Sequence, residues 1–196
     1  MSDCGCHMEA KNAAERKTLK ILLVINGTMF VVGCIAGILA HSTALIADSL
    51  DMFADASVYM LSLYAVGKSV HLKNRAAMLS GIFQITLAAM ILVDVIQRFI
   101  WGSAPESHWM MGIAFLALIA NSYGLYLLSK HRQSEAHMRA SWIFTQNDVI
   151  ANISVIFAGL LVSLLSSRIP DLIAGFGISI LVIWGGIKII QDARTV

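Results

Sequence analysis

Charge is scarce in this chain. Of its 196 residues only 13% are Asp, Glu, Lys or Arg, while 58% are hydrophobic. A soluble domain could not keep so much apolar surface from water, so that class is excluded. The formal net charge of +2 is too small to attract nucleic acid. No basic stripe with aromatics between its charges is present either. Proline is nearly missing, with two residues in all, so long helices run unbroken. The three cysteines make no disulfide framework. Cys4 and Cys6 are too close to bridge easily and Cys34 sits in an apolar run, which points to reduced cytosolic thiols. Neither HExxH nor GxSxG occurs, and no Ser/His pair falls in an apolar segment, so an enzyme with catalytic residues is not expected. The opening MSDCGCHMEAKNAAERK is polar for too long to be a secretory signal peptide.

What is there is apolar sequence in membrane-sized pieces. Six segments stand out, at 20–40, 44–67, 77–101, 109–129, 141–166 and 171–188. Each approaches the roughly 20 residues that cross a bilayer as a helix. The expected fold is an all-α membrane protein of six transmembrane helices. A cytoplasmic tail over 1–19 would precede a transport domain over 20–190, with a short cytoplasmic end over 191–196. All Lys and Arg residues except Arg98 and Arg168 fall in the N-terminus, the connections after segments two and four, and the C-terminal end. The positive-inside bias therefore puts both termini in the cytoplasm.

Into this hydrocarbon the chain sets ADSLDMFAD. From Ile21 to Ala47 and from Ala56 to Gly67 there is no charged residue, yet Asp48, Asp51 and Asp55 lie between. Their spacing puts all three on one stripe of a helix. Segment five carries TQNDVIAN, in which Asp148 and Asn152 share a face one turn apart. At about 1.5 Å per residue, Asp51, Asp55, Asp148 and Asn152 all fall near the midplane of a ~30 Å core. A carboxylate there costs at least ~2.5 kcal/mol, so three of them need a reason. One is protonation with hydrogen bonds to neighbouring helices. A better one is a divalent cation held by Asp51, Asp55, Asp148 and Asn152. Asp48, Asn147 and Thr145 are candidates for supporting or access roles. Asp94 and Arg98, also one turn apart, read as a local ion pair. Glycine and serine pairs, Gly33 with Gly37 and Gly175 with Ser179, offer close helix packing.

These motifs resemble the cation diffusion facilitator family of metal-ion/proton antiporters, over essentially the whole chain. The family's second-helix pattern D-x-x-(H/D)-x-x-x-D is matched by Asp48, Asp51 and Asp55. Its fifth-helix pattern (H/D)-x-x-x-D is matched at Asp148, with the basic Arg139 nine residues upstream. Three departures are visible. Phe144 stands where the family has His or Asp, so Asn152 is the substitute fourth ligand. Ala77 stands where Glu often opens helix three. The cytoplasmic metal-binding domain of most members is not expected, which makes this a short form. The resemblance implies Zn²⁺ as the first candidate substrate, a homodimer, and a multi-pass location in the cell (inner) membrane among lipids. No bound cofactor is expected.

The residues themselves suggest the mechanism. Carboxyl groups crowded into a low-dielectric site resist simultaneous ionisation and so retain protons. Metal needs deprotonated ligands and expels those protons. If the site faces each side in turn, metal leaves the cytoplasm as protons enter. The hard donor set also suits Co²⁺, Mn²⁺ or Fe²⁺, and Cd²⁺ less well. Cys4, Cys6 and His7 in CGCHM could capture a soft cation at the cytoplasmic mouth. His71, His131 and His137 read as solvated loop residues. Two rival readings remain open: a passive cation or proton channel, and a non-transporting membrane subunit held by protonated aspartates.

Overall fold

The computed structural model describes residues 3–39, 43–102, 105 and 107–195, with side chains at 3–10, 36–39, 43–50, 109 and 110 outside the description. Six long helices follow one another: α1 (Asp3–Leu39), α2 (Thr43–Ala65), α3 (Val70–Trp101), α4 (Ser107–Leu128), α5 (Ala136–Leu165) and α6 (Ile169–Arg194). A single 3-10 turn, Ser129–His131, separates α4 from α5. No strand occurs among the described residues.

The turns are set by local chemistry. Gly67 adopts φ +74°, a left-handed conformation open to glycine at no steric cost. Ser69 then caps α3 by accepting a hydrogen bond from the Leu72 N–H at 3.4 Å. At its far end α3 stops at Gly102, φ +88°. Pro170 sits in the first turn of α6, where its missing N–H costs nothing.

Several of the helices are longer than the apolar runs. α1 begins at Asp3, α3 at Val70 and α5 at Ala136, each ahead of its segment, and α6 continues to Arg194. Crossing a bilayer needs only about 20 residues, so the extra turns project at the end carrying the termini. They pack there rather than trail in water. Glu15 and Leu19 are fully buried, and Arg16 donates to the Val66 carbonyl at 2.7 Å. Most of the stretch read as a tail is therefore helix.

The most extensive pairings are α3 with α6, α1 with α2, and α4 with α5. α5 also touches α2, α3 and α6, and this central place puts its polar face inside the bundle. Glycines set the α3–α6 approach. A Cβ on Gly81 would lie 2.9 Å from the Gly186 carbonyl oxygen, and one on Gly186 would lie 2.9 Å from that of Gly81. A Cβ on Gly175 would meet Val95 of α3 at 2.7 Å, so this small-residue face packs within the chain.

The outer surface is the inverse of a soluble protein's. Phe99, Trp101, Leu116, Tyr126, Leu164 and Ile173 are all largely exposed. Among the described residues, five helices contain stretches long and apolar enough to cross a membrane. Hydrocarbon, not water, is the solvent such a surface fits.

Candidate metal centre

α2 and α5 carry the acidic residues, and the fold brings them together. The carboxyls of Asp55 and Asp51 both lie near enough to that of Asp148 to act on it electrostatically. Asp51, Asp148 and Asn152 line one cavity of about 410 Å³. Asp55 is fully buried beside them. The Asn152 amide nitrogen and Oδ2 of Asp148 have no hydrogen-bond partner among the described residues.

The cavity runs from these residues past Ile91, Val95 and Ile178 to Asp94, Arg98 and Asp171. Those last residues mark the end of the bundle opposite the termini. The Asp94–Arg98 pair forms as expected, Nε to Oδ2 at 2.7 Å. Asp171 from the first turn of α6 joins it at 3.7 Å. The mouth thus has two carboxylates and one guanidinium.

Toward the termini the same helices are closed by hydroxyls. The Tyr59 hydroxyl and Thr145 Oγ1 are 2.8 Å apart. Thr145 donates to the Ser141 carbonyl at 2.8 Å. The Ser141 and Ser62 hydroxyls are 2.7 Å apart, and Ser62 donates to the His137 carbonyl at 3.0 Å. Each of these side chains is buried. The ladder zips α2 to α5 below the acids.

Of the supporting candidates, Thr145 turns to Tyr59 and off the cavity wall. Asn147 packs tightly on Gly185 of α6, where a larger residue would collide with its amide. The side chains of Asp48, Cys4, Cys6 and His7 lie outside the described residues. Phe144 is buried on the cavity wall, packed with Ala54 and Val58 of α2. Arg139 pairs with Asp192 of α6 at 3.7 Å.

Three participants were not legible as such. Gln84 of α3 lines the cavity, with neither amide atom hydrogen-bonded among the described residues. Its only signal was an amide in an apolar helix. Tyr59 lies near enough to Asp55, Asp148 and Asp51 to feel their charges. His137, read as solvated, is fully buried, because α5 starts early enough to carry it inside the bundle. Nearby, Glu135 meets Lys73 at 2.6 Å. Partial burial would raise the Glu135 carboxyl, but the hydrogen bond and charge of Lys73 outweigh it and hold the group below its ordinary range.

Helices with a lipid-facing surface and carboxyls buried at their centre define a polytopic membrane protein built around a polar intramembrane site. The profile of the cation efflux transmembrane domain matches residues 19–196, and the chain belongs to that family. The zinc transporter ZitB of Escherichia coli is 26% identical over 207 residues, which cover 98% of this chain and 65% of the relative. The metal cation efflux system protein CzcD of Cupriavidus metallidurans is 24% identical over 168 residues, 80% of this chain and 53% of the relative. The vacuolar zinc transporter COT1 of Saccharomyces cerevisiae is 31% identical over 130 residues, 57% of this chain and 29% of the relative. The chain therefore spans less than two thirds of the length of these relatives. They are transporters by name, not enzymes.

Proposed function

We propose that the chain exports divalent transition-metal cations, zinc foremost, from the cytoplasm in exchange for protons. Asp51, Asp55 and Asp148 supply carboxylate ligands and Asn152 the fourth group. The observation that carries this reading is the meeting of the α2 and α5 carboxyls at one end of a deep cavity. Carboxyls crowded into a low-dielectric site retain protons, and a divalent cation would displace them, since ligation requires the deprotonated form. The names of the relatives, zinc and metal-cation transporters, favour the same cargo.

Six crossings with cytoplasmic termini follow from the charge bias. In that orientation the cavity faces outward and the hydroxyl ladder is the closed inner gate. Parting α2 from α5 along the ladder would expose the acids to the cytoplasm, which is alternating access. A homodimer in the bacterial inner membrane is the proposed setting. Proteoliposomes with an imposed pH gradient test the exchange. Zinc flux must be accompanied by proton counterflow, and cation flux without it would make the protein a channel.

Phe144→His is expected to tighten zinc binding by roughly tenfold, because imidazole is a good neutral zinc ligand and the ring faces the cavity. Turnover should slow as release becomes harder. Asn152→Ala should weaken binding several-fold, and the double variant should recover part of it. Calorimetry reads all three, and normal binding by Asn152→Ala removes that residue from the site. Deletion of residues 2–10 is expected to raise the zinc concentration for half-maximal flux at most. Loss of all transport in a well-folded truncation would show that the tail is essential.

A further inference from the structure

A second polar cluster lies at the termini end of the bundle, away from the acidic cavity. We propose that Glu15, Glu135 and His137 form a second divalent-cation site, suited to a borderline ion such as Zn²⁺. One ligand atom from each residue lies within 4.8 Å of the other two. They come from separate places in the chain: the first part of α1, the residue capping α5, and the first turn of α5.

Several of their buried polar atoms are left unsatisfied by the described residues around them. Glu15 and His137 are fully buried. Neither ring nitrogen of His137 has a hydrogen-bond partner among the described residues, and neither has Oε2 of Glu15. An imidazole and a carboxylate in such surroundings are costly when unsatisfied. They face each other at 3.7 Å, Nε2 to Oε2. That is long for a hydrogen bond. It is close to the roughly 3.3 Å that separates two ligands held about 2.0–2.1 Å from a tetrahedral zinc. The carboxylate is also aimed, because Ser134 donates to its other oxygen, Oε1, at 2.6 Å. Such an outer hydrogen bond is the usual way a metal ligand is oriented.

Ammonium groups hold the acids in this state. Lys73 lies 2.6 Å from Oε2 of Glu135, and Lys11 lies 4.0 Å from Oε1 of Glu15. A divalent ion entering the cluster takes over the position of Lys73 on Glu135. Two oxygens and one nitrogen leave a fourth position for water, the pattern of an exchangeable site rather than a closed structural one. His137 also lies at one end of the hydroxyl ladder leading to Tyr59 and the acids. A role in loading the transport site would rest on the proposed transport function. Binding itself does not.

The test uses the full chain in detergent, with Cys4→Ser, Cys6→Ser and His7→Ala to silence the tail. Asp51→Asn and Asp148→Asn are added to disable the acidic site. Zinc titration is expected to show one remaining equivalent, with imidazole in its X-ray absorption spectrum. Adding Glu15→Gln should weaken that binding at least tenfold. Adding His137→Gln should do the same and remove the imidazole signature. Helical circular dichroism and monodisperse elution confirm folding. Glu15→Gln, which preserves shape, decides the matter if His137→Gln does not fold. A folded background chain that binds no zinc overturns the proposal, as does binding that neither substitution weakens. If Asp51→Asn and Asp148→Asn leave the zinc count unchanged while Glu15→Gln lowers it, the acidic-site reading fails and this one stands.

Discussion

Asp148→Asn is expected to abolish zinc transport, with flux falling at least about a hundredfold, which corresponds to ~2.7 kcal/mol. Asp51→Asn should do the same. Asparagine preserves the size of the side chain, so packing around the cavity is unchanged. What is lost is one carboxyl of the proposed three-aspartate site, and with it a group that under the proposed mechanism trades a proton for metal. Folding should not suffer, since a buried carboxyl is itself a burden of at least ~2.5 kcal/mol in the bilayer centre. The variants should therefore reach the membrane at wild-type levels and melt no lower. Zinc flux into proteoliposomes, normalised to inserted protein, is the measurement. Wild-type flux from either variant would take that residue out of the site.

The second large effect is structural. Gly186→Ala is expected to lower the melting temperature sharply, because its methyl group would enter a space 2.9 Å from the Gly81 carbonyl and 2.6 Å from Ile85 Cγ1. A backbone atom cannot step aside cheaply, and overpacking of this kind costs about 1–3 kcal/mol. Gly177→Ala on the same helix is the control, with nothing within 4 Å of the added carbon. There the substitution should be neutral or stabilising by up to ~1 kcal/mol, since alanine is the better helix former. Equal melting of the two variants in detergent would mean that α3 and α6 do not depend on this contact.

The helical character and the acidic pairs were readable along the chain for a plain reason. Hydropathy, charge bias and i, i+4 spacing are properties of short segments, and a bilayer leaves the backbone few alternatives to helix. The limits of the helices were less legible. Polar residues ahead of an apolar run look alike whether they trail in solvent or pack on a neighbouring helix. α1 and α5 carry Glu15 and His137 into the bundle on such turns.

By itself the sequence determined the solvent of this protein, the helical character of its segments and the presence of carboxyls that needed a partner. Tertiary structure decided which groups meet. Gln84 and Tyr59 joined the acidic site only because α3, α2 and α5 converge, and nothing in their local sequence records that. Gly81 and Gly186 became a helix contact only through the pairing of α3 with α6. Thr145 and Asn147 lie beside Asp148 in sequence, yet helical rotation turns one to Tyr59 and the other to α6. Hydropathy cannot report these choices, because in a membrane a side chain facing lipid and one facing protein can be equally apolar. Only the packing of one helix against another tells them apart.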